Sequence, residues 1–563
     1  MILSAALVAG ASVAGPAAHA ALVISTGANS NAGCYEGEFG MICAATAATA
    51  NLNVTTLENL LASYNVNVET ASATDDIIVN APLSWVSASG LAVIAQRSIK
   101  VNAHVSDAGS GELSLTTGTG GRLSFGGGGN IGFLSTSNLL LINNQSYQLV
   151  NSIASLKTWV GNNPANDFAL VSNYDATPDG TYAQAPIQST LTGRLEGLGN
   201  TISNLHIVDA TAGDYVGLFA QVQGGTIENL RLTNVTVQAT GNSSSSSNAG
   251  GLVGYNAGTL FGDSVTGHVT GSYASVGGLA GGQGYGATSN SFSTATVKGT
   301  KAGAAGGLMG FQVNSASVDN SYATGTVTGG SGMNVGGLIG SNTEPVRDSY
   351  ATGAVTGGGT AQVGGLIGID WGGTVTRSWA SGSATVGALC CGLNTDVGGL
   401  VGELSSGAIN QSYATGAVKG GSGASAGGLS GDNFGAISNS YATGRVHSAG
   451  GSVGGFVGYN DGMISASYST GAVSGGATGS MGGLLGVDSA AGGSLKHTYW
   501  DTTTSGITSS SQGAGSPSND PGIKANTTAQ LKSGLPGGFG ATVWGEATGL
   551  NGGLPYLLAI PPK

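Results

Sequence analysis

The sequence is poor in charge, and the charge that it has is mainly acidic. Only 16 of its 563 residues are lysine or arginine, and charged residues of both signs make up 8% of the chain. A nucleic-acid-binding surface needs clustered lysine and arginine to neutralise phosphates, and the sequence has no such cluster. The 28 acidic residues give a net charge of −12 that is spread thinly along the chain. We therefore expect neither nucleic acid nor a metal-covered surface.

Cysteine is also scarce, with four residues in two separated pairs. Cys34 and Cys43 could close a small disulfide loop in an oxidising compartment. Cys390 and Cys391 are adjacent and could form a vicinal disulfide or remain two buried thiols. No histidine or further cysteine stands at ligand spacing beside either pair. We therefore predict no metal site and no cofactor.

Long apolar runs are missing as well, apart from the first segment. After residue 20 no stretch of 18 apolar residues occurs, which is about the length that a membrane-spanning helix requires. Residues 1–20 are apolar and end in Ala18-His19-Ala20, which is typical of a signal-peptidase site, although the usual basic residues are missing. We predict a signal peptide and a secreted protein without a membrane span after its removal. A buried N-terminal strand is the alternative.

Glycine, with 104 residues, is abundant and periodic. At roughly 1 kcal/mol each relative to alanine, so many glycines disfavour helices, and a Gly-X-Y period that would indicate collagen is missing. A block of the form GG-[LF]-x-G recurs at intervals of 27 to 30 residues, with one interval of 34. These blocks begin at Gly250, Gly277, Gly306, Gly336, Gly364, Gly398, Gly427, Gly454 and Gly482.

A second block, SYATGAV or a close variant, lies between the glycine blocks. Two β-favouring blocks separated by turn residues predict short strands, and a period near 28 suits one coil with about three such strands. We predict an all-β fold, a right-handed parallel β-helix (β-solenoid) of glycine-rich repeats; the handedness follows the general preference of parallel crossovers. Stacked coils should place one apolar side chain of each glycine block in an interior ladder. Its members are Leu252, Leu279, Leu308, Leu338, Leu366, Leu400, Leu429, Phe456 and Leu484.

Each second block also carries one aromatic residue, and stacking should align them. They are Tyr273, Phe292, Tyr322, Tyr350, Trp379, Tyr413, Tyr441 and Tyr468. Whether this line faces inward or outward stays open, because a bend can fall between Ile409 and Ser412. If it faces outward, the six residues from Tyr322 to Tyr468 could bind sugars on their ring faces. Stacking that only stabilises the coils is the simpler interpretation.

The order of the two blocks, GGLIG followed by SYATGAV, resembles the GLUG repeats of filamentous-haemagglutinin-like bacterial adhesins over about residues 215–500. Residues 76–85, 141–150 and 197–207 are similar to the β-helical segment that precedes such repeats. The resemblance implies an extracellular or cell-surface adhesin that attaches to host or cell-surface glycans or to matrix proteins, without catalytic residues. It also implies an outer-membrane secretion partner, although the NPNG-like and NPNL-like motifs typical of that route are missing between Ala21 and Asn80.

These patterns divide the chain into six parts. They are a signal peptide at 1–20, an N-terminal segment with a cysteine pair at 21–50, an irregular β-helical haemagglutinin-like region at 51–214, the repeat solenoid at 215–500, a Ser/Gly-rich linker at 501–526 and a capping segment at 527–563. Short helices are expected from Thr55 to Ser63 and near Ile153 to Val160. In the last segment we expect Trp544, Pro555 and Tyr556 to cover the end of the solenoid, because an uncapped end exposes strand edges.

Two other functions stay open. A polysaccharide lyase or hydrolase would need several carboxylates converging in one cleft. The candidates stand in differing repeat contexts, for which reason we do not expect an enzyme: Asp263, Asp319, Asp348, Asp370, Asp396, Asp432 and Asp461. A structural spacer, the third possibility, would bind neither glycans nor matrix proteins.

Overall fold

The computed structural model describes residues 21–70, 75–241, 247–301, 303–387, 395–475, 480–490 and 492–562. The predicted signal peptide and the pair Cys390 and Cys391 lie outside these ranges. The chain divides into two compact units, Met1–Leu149 and Val150–Lys563. Of the helices in the described ranges, none has both the length and the apolar character needed to cross a membrane.

The first unit is built from three sheets of mainly parallel strands. One sheet has the order Leu123–Phe125, Ile99–Val101, Asp76–Val79, Ala21–Ser25 and Thr49–Asn53, and a second has the order Ile131–Phe133, Val105–Asp107 and Leu83–Trp85. The third runs through Ala32–Gly37, Gly40–Ala45, Val66–Glu69, Leu91–Ile94, Glu112–Thr116, Leu139–Ile142 and Gln145–Val150. Side chains alternate between the two faces of a strand, and accordingly Ile99 and Val101 are buried and Lys100 between them is not.

Both predicted short helices are present. The first, Val54–Leu61, begins where the side chain of Asn53 accepts a hydrogen bond from the backbone N–H of Thr56. The second, Ile153–Asn162, lies in the second unit and begins with a capping box between Ser152 and Ser155. Each helix buries one apolar side and contributes no residue to the site described below.

In the second unit every regular repeat forms one coil of five short strands, where about three were expected. One such coil contains Asn334–Gly336, Ile339–Asn342, Val346–Arg347, Tyr350–Ala351 and Val355–Gly357. Each of the five pairs in parallel with its equivalent in the next coil. One of the additional corners arises at the residue before the serine of the second block, which adopts a left-handed conformation, as at Asp348 with φ of 51°.

The strands of the second unit form five columns of parallel pairs. The first column is a ten-stranded sheet of Tyr215–Val216, Ser247–Gly250, Ala274–Gly277, Ala304–Gly306, Asn334–Gly336, Gln362–Gly364, Asp396–Gly398, Ser425–Gly427, Val453–Gly454 and Met481–Gly482. The second contains Ala280–Gly284, Met309–Val313, Ile339–Asn342, Ile367–Asp370, Val401–Leu404, Ser430–Asn433, Val457–Asn460, Leu485–Asp488 and Ala514–Ser516. The third contains Asp167–Leu170, Arg194–Glu196, Ala287–Ser289, Ser317–Asp319, Val346–Arg347, Thr374–Thr376, Ala408–Asn410 and Ala436–Ser438.

The fourth column carries the aromatic residues. It contains Tyr174–Asp175, Thr201–Ser203, Phe292–Ser293, Tyr322–Ala323, Tyr350–Ala351, Trp379–Ala380, Tyr413–Ala414, Tyr441–Ala442 and Ile523–Asn526. The fifth contains Thr181–Tyr182, His206–Asp209, Thr296–Gly299, Val327–Gly329, Val355–Gly357, Ala384–Val386, Val418–Gly420, Val446–Ser448 and Val473–Gly475. Longer strands span two neighbouring columns: Phe219–Glu228, Arg231–Ala239, Val253–Phe261, Ser264–Gly271, Met463–Ser469 and Leu495–Asp501.

The interior ladder predicted from the glycine blocks is present, and all nine of its side chains are fully buried. The glycines beside it allow two strands of one coil to approach closely. At Gly398, for example, a Cβ atom would stand 1.9 Å from the carbonyl oxygen of Val401. The predicted all-β parallel β-solenoid is therefore confirmed.

The serine of the second block forms a second, polar ladder. The Oγ of Ser412 accepts a hydrogen bond from the backbone N–H of Ser378 at 3.2 Å and donates one to the carbonyl oxygen of Asn410 at 3.0 Å. Equivalent bonds link Ser291, Ser321, Ser349, Ser440 and Ser467. These buried hydroxyl groups satisfy backbone amides that the corner withdraws from strand pairing.

The stack of coils continues beyond residue 500. Within the stretch predicted as a linker, Ala514–Ser516 pairs with Leu485–Asp488, and Ile523–Asn526 pairs with Leu495–Asp501. One helical turn, Thr528–Leu531, and an antiparallel pair of two-residue strands, Trp544–Gly545 and Tyr556–Leu557, follow.

Candidate functional site

Seven of the eight aligned aromatic residues form one outward-facing row, which we call the aromatic ladder: Phe292, Tyr322, Tyr350, Trp379, Tyr413, Tyr441 and Tyr468. The left-handed residue before each serine turns the chain, as at Gln411 with φ of 48°, so a bend does fall between Ile409 and Ser412. The alanine after each of five of these rings, for example Ala414, packs into the interior core instead. Tyr273 is not stacked in this row, and Lys301 Nζ lies 4.9 Å from its ring centroid.

The rings of the ladder stack face to face along the coils. Neighbouring ring centroids are 4.5 to 5.7 Å apart, and the planes differ by 2 to 9°. Each ring therefore covers the faces of its neighbours and presents its edge outward. Sugar rings pack on exposed aromatic faces, so this geometry does not offer the stacking surface that a sugar-binding strip requires.

The C-terminal segment, residues 527–562, covers one part of the ladder. Tyr413, Tyr441 and Tyr468, which we call the covered half, are at most 2% exposed because Leu531, Phe539, Trp544 and Leu557 pack against this region. The other four rings, Phe292, Tyr322, Tyr350 and Trp379, are partly exposed and form the open half. We expected this segment to cover the end of the solenoid, and the contacts named here lie on the side of the coils.

Trp544 makes the central contact of the covered half. Its ring centroid lies 6.1 Å from that of Tyr441 and 5.9 Å from that of Tyr468, with the planes tilted by 49° and 52°. Its Nε1 donates a 3.4 Å hydrogen bond to Oδ1 of Asn439. Because aromatic edges carry partial positive charge and aromatic faces partial negative charge, tilted packing of an indole on ring edges is favourable.

Hydroxyl groups at the end of the row bind the backbone of the same segment. Tyr468 donates a 2.6 Å hydrogen bond to the carbonyl oxygen of Pro555 and accepts one from Asn551 Nδ2 at 2.7 Å. Tyr499, the next aromatic residue in register, donates to the carbonyl oxygen of Gly537 at 2.8 Å. Burial raises the pKa of the Tyr468 hydroxyl, so it remains a protonated donor.

Polar columns flank the open half. On one side, the residue two positions after the aromatic residue carries a hydroxyl group, as at Thr324, Thr352 and Ser381. On the other side, Arg377 donates two hydrogen bonds of 2.6 Å to the carboxylate of Asp348. Burial raises the pKa of the Tyr322 hydroxyl. The open half therefore combines apolar ring edges with groups that can donate and accept hydrogen bonds.

Most of the carboxylates that were considered as catalytic residues of an enzyme make separate structural contacts and do not converge on one cleft. Asp263 accepts hydrogen bonds from the backbone N–H groups of Leu230 and Phe261, and Asp370 accepts from Gly372 and Gly373. Asp319 and Asp348 form ion pairs with Arg347 and Arg377. Asp461 is exposed in an open groove of about 430 Å³ beside Phe434 and Met463.

Asp396 and Asp432 are brought together. They come from neighbouring coils, and their exposed fractions are 1% and 6%. Burial raises the pKa of both, and the negative charge of Glu403 raises the pKa of each further. The pair is therefore favoured in a form that keeps a proton.

Of the four disulfide candidates, Cys390 and Cys391 lie outside the described residues, and the other two are paired. Cys34 and Cys43 are directly opposite in the hairpin Ala32–Gly37 and Gly40–Ala45 and form a disulfide.

Two features of the aromatic site were not predicted from the sequence. Asn439 was not identified as a site residue, and Trp544 was not expected to cover the aromatic rings. A signal for Asn439 was available, because an asparagine also precedes the serine of the second block at Asn290 and Asn320.

The fold and this row of rings define a repetitive parallel β-solenoid protein. Comparison with known proteins identifies a sequence motif within the repeats. Residues 301–328, which contain Tyr322, match the GLUG motif. A stretch of 128 residues, 22% of the chain, is 34% identical to Halomucin from Haloquadratum walsbyi and corresponds to 1% of the length of that protein.

Two solved structures are distantly similar. An IgA1 protease shares 18% identity, with 55% of this chain and 21% of that chain covered and a TM-score of 0.30. A protein from Bacteroides ovatus assigned as an immunoglobulin A1 protease shares 16% identity, with 74% of this chain and 93% of that chain covered and a TM-score of 0.29.

Proposed function

We propose that the protein is a secreted, filamentous-haemagglutinin-like adhesin that attaches to a host or cell-surface macromolecule through the open half of the aromatic ladder. The observation that carries this proposal is the repetition of partly exposed ring edges on four successive coils, at Phe292, Tyr322, Tyr350 and Trp379. A row of equivalent groups can engage a partner at several points, and aromatic residues are enriched among the energetically important residues of interfaces.

Two further observations support this proposal. The GLUG motif at residues 301–328 includes one of the open rings, Tyr322. The disulfide between Cys34 and Cys43 is suited to an oxidising compartment, as expected for a protein exported from the cell.

We propose that the protein acts without catalysis. Hydrolysis of a glycosidic bond needs two carboxyl groups that flank the bond and reach it from the solvent side. The one pair of candidate carboxylates in contact, Asp396 and Asp432, is almost fully buried, which supports a structural role.

The test is binding of the purified chain to an array of matrix proteins and glycans. We expect the wild type to bind, and the Tyr322→Ala/Tyr350→Ala variant to lose at least about tenfold in affinity. The matched control is Tyr285→Ala/Trp371→Ala, which removes two aromatic side chains that are 71% and 53% exposed and lie outside the ladder. A β-type circular dichroism spectrum must be retained in both variants. A wild type that binds nothing would favour the spacer, and a ladder variant that binds normally would place attachment elsewhere.

A further inference from the structure

We propose that Asn320, Tyr322 and Tyr350 form a receptor for a tryptophan-bearing polypeptide segment of a partner protein. This inference rests on the proposed function and names the class of partner. It is argued from an equivalent set of residues elsewhere in the ladder whose contacts the structure shows: Asn439, Tyr441 and Tyr468 bind Trp544 of the same chain. We call each of these two sets a receptor.

The two receptors are related by the register of the repeats. The pairing Tyr322 to Tyr350 to Trp379 to Tyr413 to Tyr441 is continuous, so Tyr441 stands four coils after Tyr322 in the same column. In both places the next coil supplies another tyrosine, Tyr350 or Tyr468. Parallel register therefore repeats the arrangement of ring edges that Trp544 contacts.

The asparagines are equivalent as well. Each stands two residues before its tyrosine in a left-handed conformation, with φ of 46° at Asn320 and 47° at Asn439. The Nδ2 of Asn439 donates a 3.2 Å hydrogen bond to Asn410 of the preceding coil, and its Oδ1 accepts from Trp544. Asn320 Nδ2 donates to Asn290, also in the preceding coil. In both residues the amide oxygen is thus the atom that can accept an indole N–H.

The electrostatics of the ring edges favour a polypeptide over a sugar. A row of edges with partial positive charge attracts the face of an aromatic side chain and the oxygen of a peptide carbonyl. In the C-terminal segment Trp544 makes such a tilted contact with Tyr468, and the carbonyl oxygens of Pro555 and Gly537 accept hydrogen bonds from the hydroxyl groups of Tyr468 and Tyr499. The faces on which a sugar would stack are occupied by neighbouring rings, at Tyr322 by those of Phe292 and Tyr350.

The open half continues the surface to which the C-terminal segment binds, since Trp379 packs at the margin of that cluster and stacks on Tyr350. The chain's own Trp544 is engaged with the covered half. Because Trp544 is already engaged, we assign the open half to a segment of another protein that carries an exposed tryptophan or a similar large aromatic side chain.

The test uses the full chain and a fluorescein-labelled peptide with the sequence of residues 536–546, which contains Phe539 and Trp544. We expect saturable binding by fluorescence anisotropy. The peptide with Trp544→Ala, and the protein variant Asn320→Ala/Tyr322→Ala, should each weaken binding by at least about tenfold. The control variant Tyr285→Ala/Trp371→Ala should bind as the wild type does.

The inference is overturned if the peptide does not bind the wild type. It is also overturned if Asn320→Ala/Tyr322→Ala binds the peptide unchanged, because exchange at the covered half would then explain the signal. Ladder-dependent glycan binding without peptide binding would overturn the inference and leave the proposed function standing. If the peptide binds through the ladder but the chain binds nothing on the array of matrix proteins and glycans, the receptor proposal is supported and the adhesin proposal is contradicted.

Discussion

The indole nitrogen of Trp544 donates a hydrogen bond to Asn439 Oδ1, although 105 positions separate the two residues in the chain. This contact fixes the C-terminal segment against the flank of the coils. It also divides one regular row of aromatic residues into a covered half and an open half, which the repeats alone would not distinguish.

Replacement of Trp544 by alanine should destabilise the second unit. Trp544 is 1% exposed and packs on Tyr441, Tyr468 and Phe539, so its removal leaves a cavity between rings. We expect a loss of about 3–5 kcal/mol in the free energy of unfolding, measured by urea denaturation followed by circular dichroism. The control is Trp371→Ala, which removes a tryptophan that is 53% exposed. Similar losses in the two variants would contradict the docking of the segment.

Replacement of Ser412 by alanine should test the serine ladder. Without the Oγ of Ser412, the backbone N–H of Ser378 loses its acceptor in a buried place. An unsatisfied buried group costs about 1–3 kcal/mol, so the midpoint of thermal unfolding should fall. Thr415→Ala, three residues further on at an exposed position, is the matched control. An unchanged midpoint for Ser412→Ala would show that the ladder contributes no stability.

Stability should decrease with rising pH because of Asp370. Burial raises the pKa of Asp370 from 3.8 to about 6. The folded chain then holds a proton that the unfolded chain has released, so the stabilising contribution is complete below pH 3.8 and is lost as the pH rises through about 6. Asp370→Asn removes this dependence. The variant should gain up to about 3 kcal/mol over the wild type at neutral pH.

The measurement for Asp370 is the difference in unfolding free energy between Asp370→Asn and the wild type at a series of pH values. Other buried acids titrate in both proteins, and the difference cancels their contribution. A difference that is the same at acidic and neutral pH would rule out the titration of Asp370 as its cause.

The repeats of the sequence were sufficient to predict the solenoid and its interior. Each glycine block places its leucine or phenylalanine inward, and all nine, from Leu252 to Leu484, are fully buried. Short helices were also predicted, from Thr55 to Ser63 and near Ile153 to Val160, and the structure has them at Val54–Leu61 and Ile153–Asn162. In these cases the determining interactions are local in the chain or lie between adjacent repeats.

The direction of the aromatic row could not be predicted from alternation. The left-handed residue at Gln411 lies between Ile409 and Tyr413 and breaks the period of two, so the side of Tyr413 depends on the corner. The contact between Trp544 and Asn439 depends on where the chain returns after the last coil. The proximity of Asp396 and Asp432 depends on how different columns of neighbouring coils meet, which the spacing of the two residues does not reveal.

The division of the aromatic ladder is tested most directly by hydroxyl-radical footprinting of the full chain, with oxidation of each ring followed by mass spectrometry. We predict that Tyr322, Tyr350 and Trp379 are oxidised readily and that Tyr413, Tyr441 and Tyr468 are protected until Trp544→Ala exposes them. Equal oxidation of the two halves in the wild type would contradict the account.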